Sequence, residues 1–391
     1  MRRPTVVSLF TGAMGLDLGF EEVGFEVRLA LDVNEWACRT IRANRPGIPV
    51  ICNDIRRTPT DEILRKAGLG VGGATVITGG PPCQAFSTGG KRLSVNDTRP
   101  EKGGDLVFEF LRVVREARPQ FFVFENVAGL LSAALRHMSF YERTKKREHE
   151  IPPEARLGTA FELILDEFEK TGYRIKWAVL NAADYGVPQV RKRLFIVGSR
   201  DGDDIQFPPP PTHGQPGSIE VVAGLRKPWL TLRDAIWDLR DRADLEYVPF
   251  PSWGKYLKYV PPGGSWVDLP ADVQEEAMGG AYYSQGGRRG FFRRLSWDRP
   301  APTLVTSPVM KATCLCHPDY DRPLSVEEYA RIQCFPDGWR FVGPTQAKYR
   351  MIGEAVPPPL AHAVAMCIVR ALKEDPNSPY ADPNLFFGPK N

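Results

Sequence analysis

The stretch Thr5-Val6-Val7-Ser8-Leu9-Phe10-Thr11-Gly12-Ala13-Met14-Gly15-Leu16-Asp17-Leu18-Gly19-Phe20 begins as a β-branched apolar run, passes through a glycine-bearing turn and leads toward a helix. A strand feeding a helix through such a turn is the first half of a βαβ unit. Glycine lets the backbone approach a ligand closely, and a helix start offers unpaired amide N–H groups. The spacing of Gly12, Gly15 and Gly19 is not G-x-G-x-x-G, so a dinucleotide pyrophosphate is not specifically implied, and a plain tight connection explains the turn equally well.

The same alternation continues outward to about residue 200. Strands are predicted at Thr5–Phe10, Val27–Asp32, Ile48–Ile51, Ala74–Thr78, Phe121–Glu125, Arg174–Asn181 and Arg193–Ser199, with helices between them at Glu35–Asn44, Leu106–Arg118 and Ala160–Thr171. This is the pattern of an α/β fold with a doubly wound, mostly parallel, Rossmann-like sheet, whose ligands sit at the carboxyl ends of the strands. After residue 200 the pattern changes. Of 36 prolines, 11 lie in residues 1–199 and 25 in 200–391, and convincing helices shrink to short ones near Thr231–Arg240 and Ala271–Met278. We therefore expect residues 1–200 to begin the first lobe, 201–292 to form a smaller loop-rich domain, and 293–391 to return to the first lobe through a strand at Thr303–Thr306 and helices at Val326–Cys334 and Ala361–Lys373.

Composition bounds the class. Hydrophobic residues at 42% and charged residues at 25% exclude a disordered, collagen-like or coiled-coil chain. The net charge of +4 neither demands nor excludes a polyanionic partner, so local patches must decide. Seven cysteines with no secretory segment after Met1-Arg2-Arg3 read as reduced thiols of a cytoplasmic protein. Apolar runs such as Phe121-Phe122-Val123-Phe124 fall short of the roughly 18 residues of a membrane helix, so no membrane partner is expected.

The ends of the predicted strands carry the chemistry-bearing residues. Asp32, 20 residues beyond Gly12, is placed to accept from a ribose diol or to cap the next helix, and Asp54 after the third strand invites the same two readings. Together with the glycine turn they favour a nucleoside-containing cofactor. The fourth strand runs into Gly79-Gly80-Pro81-Pro82-Cys83-Gln84-Ala85-Phe86-Ser87, where a free Gly-Gly pair and two stiff prolines present Cys83 rigidly. Glu125 ends a core strand, where desolvation favours the neutral acid, although a capping carboxylate is the plain alternative. Arg191 and Arg193, spaced by two, project from one side of an extended segment and can converge on one anion or carboxylate. Cys314-Leu315-Cys316-His317 lacks a second ligand pair at zinc spacing and reads as structural, so no metal is expected.

Taken together and in this order, these residues resemble one family, the cytosine-5 DNA methyltransferases of the bacterial restriction-modification type. The likeness covers roughly residues 5–200 and 293–370. Gly79 to Ser87 is similar to the family's catalytic-cysteine signature, Glu125-Asn126-Val127 to its acid motif and Gln189 to Arg193 to its Q-x-R-x-R motif. Arg299-Pro300-Ala301-Pro302-Thr303 and Ile352-Gly353-Glu354-Ala355-Val356-Pro357-Pro358 resemble its two C-terminal motifs. The resemblance implies the methyltransferase variant of the Rossmann-like fold and transfer of a methyl group from S-adenosylmethionine to carbon 5 of cytosine. Cys83 would add to carbon 6 as a thiolate, Glu125 would bond to N3 and the exocyclic amine, and Arg191 and Arg193 would bind the pyrimidine carbonyl and steady the catalytic loop. Phe10, Gly12 and Gly15 would line the cofactor, Asp32 would take the ribose, Asp54 and Ile55 the adenine, with Pro81 and Leu106 packed nearby and Glu354 and Ala355 contributing from the last motif. Met14 and Glu354 depart from the family, which commonly has glycine and asparagine there. A carboxylate at Glu354 would repel the cofactor's own unless it points away.

By the same likeness, 201–292 is the target-recognition domain, the bound partner is double-stranded DNA, and the target base leaves the stack to reach Cys83. Arg288, Arg289, Arg293 and Arg294 surround Phe291 and Phe292 as candidate DNA contacts, with Ser87, and Gln285 is a candidate for filling the hole left by the flipped base. Arg136, Arg143, Lys145, Lys146 and Arg147 form a second basic stretch that a solvated helix explains equally well. A paired restriction endonuclease is a candidate partner, and a monomer is expected. The rivals are an RNA-methylating branch of the same family and a catalytically silent DNA-binding regulator. The second requires a broken site, whereas Cys83, Glu125, Arg191 and Arg193 are all present.

Overall fold

The computed structural model describes residues 3–82, 106–135, 138, 145–284 and 288–374. It divides into two compact units: Met1–Leu180, Lys192–Pro210 and Ala361–Asn391 form the first, and Asn181–Arg191 with Pro211–Leu360 the second. Cys83, Ser87, Gln285, Arg136 and Arg143 lie outside the described residues.

The first unit is built on a seven-stranded sheet of β1 (Thr5–Leu9), β2 (Glu26–Asp32), β3 (Val50–Cys52), β4 (Val76–Gly79), β5 (Phe121–Val127), β6 (Arg174–Asn181) and β7 (Lys192–Ser199), in the order β3-β2-β1-β4-β5-β7-β6. Strands β1 to β5 pair in parallel, and β7 runs antiparallel to β5. All seven strands stand where the apolar runs predict them. The chain winds outward from β1 to β3, then starts again at β4 on the other side, so the switch in direction lies between the carboxyl ends of β1 and β4. That crevice is where doubly wound sheets bind ligands. Helices α1 (Gly15–Glu22), α2 (Glu35–Asn44), α3 (Thr60–Ala67), α4 (Leu106–Ala117) and α5 (Thr159–Glu169) complete this part of the unit. Phe110 of α4 packs edge-on against Phe124 of β5 at 5.5 Å, and Phe168 of α5 stacks on Phe122 at 5.2 Å, so the four-residue apolar run in β5 is a buried central strand.

The second unit has little regular structure: α6 (Leu232–Ile236), α7 (Ala271–Met278), α8 (Val326–Ile332), α9 (Thr345–Glu354) and short bridges. Its apolar cluster gathers Tyr256, Leu257, Met278 and Phe292 around Cys314 and Cys316. The two cysteines are core side chains, and burial pushes the Cys316 thiol up to about 12. The six described cysteines are free thiols.

Two expectations are corrected. The chain does not return to the first unit at 293; residues up to Leu360 pack in the second unit, and only from Ala361, within helix α10 (Pro358–Glu374), does it rejoin the first. The predicted strand at Thr303–Thr306 is absent, and only Ala301–Pro302 pairs, in parallel, with Gln189–Val190. The span Thr345–Lys373 is long and apolar enough by composition to cross a bilayer, but 72% of its apolar window is buried inside the protein, as in a core helix.

Candidate active site

The turn after β1 is a run of alternating left-handed residues, with φ of 54° at Phe10, 56° at Gly12 and 68° at Met14. Thr11 braces it: its hydroxyl donates to the Ser8 and Leu31 carbonyls and accepts from the Leu31 N–H, which ties the ends of β1 and β2. A Cβ at Gly12 would meet nothing within 4 Å, so space is open above the turn. Gly15 opens α1. Met14 sits left-handed at its N-terminus as a glycine would, and its buried side chain anchors it there.

Asp32 serves this turn. Its Oδ2 accepts from the Gly12 N–H at 2.7 Å and its Oδ1 from the Asn34 N–H at 2.7 Å, and Asn34, not Asp32, caps α2. Asp32 thus holds the turn in place through both carboxylate oxygens, each of which keeps a second lone pair for a further donor. The exposed acid nearby is Glu35, held by Arg39 at 2.8 Å and by the Cys52 thiol at 3.1 Å, with the partly exposed ring of Trp36 beside it. Sequence reasoning passed over both, although an acid and an aromatic in the first turn of the helix after β2 were the available signal. Asp54 caps the short helix Ile55–Arg57 through the Arg56 N–H and pairs with the Arg56 guanidinium, whose hydrogen bonds hold its carboxyl below the usual range. Arg112 of α4 donates to the Ile55 carbonyl, and Leu106 packs on the apolar cluster that contains Ile55.

At the end of β4 the two glycines are tightly packed. A Cβ at Gly79 would lie 2.7 Å from the Phe110 ring, and one at Gly80 2.8 Å from the Glu125 Oε2. The Pro81 carbonyl then accepts from Asn126 Nδ2 at 3.3 Å, so the segment leading to Cys83 is locked to the end of β5. Glu125 is 8% exposed and pairs with Arg193, Nε to Oε1, at 3.0 Å. Register explains the pair: Val127 faces Arg193 across the antiparallel β5–β7 ladder, and Glu125 is the diagonal neighbour on the same face. Burial pushes the Arg193 pKa down and Glu125 pushes it back up. The strand pattern alone, which favoured a neutral Glu125, could not reveal this counter-charge.

Arg191 belongs to the second unit and is fully buried. It donates to the Leu304 carbonyl at 3.2 Å and the Gly353 carbonyl at 2.7 Å. Beside it, Gln189 accepts from the Leu304 N–H and donates to Gln333, which in turn donates to the Ile352 and Ala355 carbonyls. A Cβ at Gly353 would overlap the Val305 carbonyl oxygen. Three motifs distant in sequence thus form one buried polar knot, and Arg191 is a positioning residue rather than an arm toward solvent. Glu354 is half-exposed and pairs with Arg350, 3.0 Å away on the same helix.

Among the candidate DNA contacts, Arg289 is exposed, while Arg288 lies over the Trp266 ring at 4.8 Å and donates to the Tyr282 carbonyl. Arg294 is corrected. It is 5% exposed, and its guanidinium donates to the Leu257, Val260, His317, Pro318 and Tyr320 carbonyls and to Asp321, leaving no donor for a phosphate. Lys145, Lys146 and Arg147 are exposed.

Comparison with known proteins gives the family and the fold. The family model described as C-5 cytosine-specific DNA methylase matches residues 4–370. The chain is 38% identical over 379 residues to the Type II methyltransferase M.Eco47II of Escherichia coli, covering 94% of this chain and 79% of that one. It is 37% identical over 378 residues to M.Sau96I of Staphylococcus aureus, covering 94% and 76%. A solved DNA modification methyltransferase encoded within an Escherichia coli prophage has the same fold, with a TM-score of 0.61 at 23% identity over 95% of this chain and 100% of that one. With a family model over nearly the whole chain and relatives at 37–38% identity, the chain belongs to the C-5 cytosine-specific DNA methylases.

Proposed function

We propose that the protein methylates carbon 5 of cytosine within a specific sequence of double-stranded DNA, using S-adenosylmethionine. The observation that carries the site assignment is the packing of the Glu125 carboxylate on Gly80, with Arg193 at 3.0 Å and the Pro81 carbonyl tied to Asn126, two residues before Cys83. Carbon 5 is a poor nucleophile. Addition of the Cys83 thiolate to carbon 6 raises electron density at carbon 5, and departure of Cys83 with loss of the carbon-5 proton restores the ring. Glu125 holds N3 and the exocyclic amine as charge moves onto the ring, and Arg193 orients Glu125 and faces the pyrimidine carbonyl. Arg191 steadies the segment that bears Arg193. A stacked base cannot reach the thiol, so the target is flipped out, with Gln285 and Ser87 assigned to the DNA.

S-adenosylmethionine supplies an electrophilic methyl group when bound. The open space over Gly12 suits its approach to the backbone turn, and Phe10, Gly15 and Pro81 line the same strand ends. The adenine falls to Asp54 and Ile55, with Leu106 behind them. Glu35 is a second acceptor for the ribose diol beside Asp32, because its side chain is 53% exposed even with Arg39 and Cys52 bonded to it. Glu354 and Ala355 are kept as cofactor residues on the family likeness alone. The relatives' Type II designation supports a paired restriction endonuclease acting on the same site; we assign the enzyme to the cytoplasm, in line with a DNA substrate, and as a monomer. A tritiated-methyl assay comparing duplex DNA with tRNA tests the reading. Label in DNA is expected, and label in tRNA alone would favour the RNA-methylating branch.

A further inference from the structure

Two turns of the second unit lie backbone to backbone. Arg288–Phe291 is closed by the Phe291 N–H on the Arg288 carbonyl, and Met310–Thr313 by the Thr313 N–H on the Met310 carbonyl. A Cβ at Gly290 would overlap the Ala312 carbonyl oxygen, so only glycine permits this approach. Lys311 Nζ lies over the buried Phe292 ring, 5.5 Å from its centre, and the Arg293 Nη2 reaches back to the Arg289 carbonyl. The contact therefore carries Arg289 and Lys311 on one locked pair of turns, with Arg293 just beyond the first and tied back to it through the Arg289 carbonyl. None of the three has a carboxylate partner among the described residues, whereas Arg233, Arg242, Arg322 and Arg331 of the same unit are all ion-paired. Burial pushes the pKa values of Arg293 and Lys311 down, so their charge is partly desolvated with only a carbonyl and a ring face, and no carboxylate, against it. Such an arrangement is costly until an anion arrives.

We propose that Lys311 joins Arg289 and Arg293 in a clamp for the phosphate backbone of the duplex, which makes Lys311 a DNA-positioning residue outside the 201–292 stretch expected to read the target. This rests on double-stranded DNA being the substrate. Phosphate fits better than a base edge because an ammonium is a compact point charge, and the Arg293 fork already has one arm on a carbonyl, which spoils bidentate reading of guanine.

The test measures binding of the full chain to a target-containing duplex and to a scrambled duplex by fluorescence anisotropy across a salt series, for wild type, Lys311→Gln and Lys311→Arg. Lys311→Gln should weaken binding to both duplexes by the same factor, about 3- to 10-fold near 0.1 M salt, and lower the slope of log K against log salt by about 1. Lys311→Arg should restore both. A loss confined to the target duplex would overturn the phosphate assignment, as would an unchanged slope, with or without a lower thermal midpoint. If wild type methylates the duplex and Lys311→Gln binds like it, the clamp fails while the function stands; if wild type methylates no duplex, the function itself fails.

Discussion

Arg191 and Arg193 stand two residues apart on one extended segment, yet they belong to different compact units and are held by different physics. Arg193 lies on a regular ladder, and the register of β5 against β7 delivers it to Glu125 over a core of phenylalanines. Arg191 lies where strands give out, and carbonyls of Leu304 and Gly353 hold it in a knot of buried amides. The same contrast separates the units. The first positions charge by sheet geometry. The second, short of strands, replaces ladders with side chains that satisfy backbone carbonyls, as Arg294 does most completely.

The comparison can be broken at several points. The largest effect is expected at the ladder's end: Glu125→Gln should lower single-turnover methyl transfer about 10³-fold, as loss of a preorganised electrostatic partner does. Next, Arg294→Met should cost about 3–5 kcal/mol in urea unfolding, because it strands several buried carbonyls at once. If Arg294→Met proves nearly neutral, carbonyl satisfaction is not what organises the second unit.

A third test concerns two fully buried acids. Glu328 of the second unit is paired by Arg322 at 2.8 Å, whereas Asp17 in α1 has no hydrogen bond of normal geometry on either oxygen, and burial, with Glu21 adding to it and Ser8 opposing, pushes its carboxyl up to about 7. The folded chain then keeps a proton that the unfolded chain has released, so stability falls as pH rises from about 4 to about 7 and levels off above. Asp17→Asn should therefore stabilise the protein by about 2–3 kcal/mol at pH 8 and by much less at pH 5, as thermal melts at both pH values would report. A gain independent of pH would contradict the assignment.

Smaller effects sharpen the cofactor edge. Met14→Gly relieves about 1–2 kcal/mol of left-handed strain but removes a buried side chain that contributes about 2–5, so a net loss of about 1–2 kcal/mol is expected by denaturant titration. Glu354→Asn removes an exposed i,i+4 pair of about 0.3–0.5 kcal/mol, and calorimetric cofactor affinity should stay within about twofold of wild type. A large gain would mean that the carboxylate faces the cofactor after all.

The first unit was legible because apolar periodicity is what builds it. Every strand end that carried a candidate, from Gly12 to Arg193, lies where the runs of Val, Ile and Phe placed it. What periodicity could not show was how polar groups pair across the chain. Nothing local showed that Asp32 also holds the Gly12 and Asn34 amides, and Glu35 looked like one more surface acid. The second unit was less legible for the same reason. Nothing local marks Arg294 as a hub rather than a DNA contact, because its acceptors come from Leu257 through Tyr320, and the return expected at 293 failed because those ties keep 293–360 in the second unit.

The central claim is that the Gly80–Glu125–Arg193 arrangement presents Cys83 to cytosine in duplex DNA. Bisulfite sequencing of DNA from cells expressing the wild-type protein and its Cys83→Ser variant tests it most directly. The account predicts protected cytosines at one short recurring sequence in the wild type and none in the variant. Protection that survives Cys83→Ser, or no protection in DNA while tRNA acquires the methyl group, would contradict it.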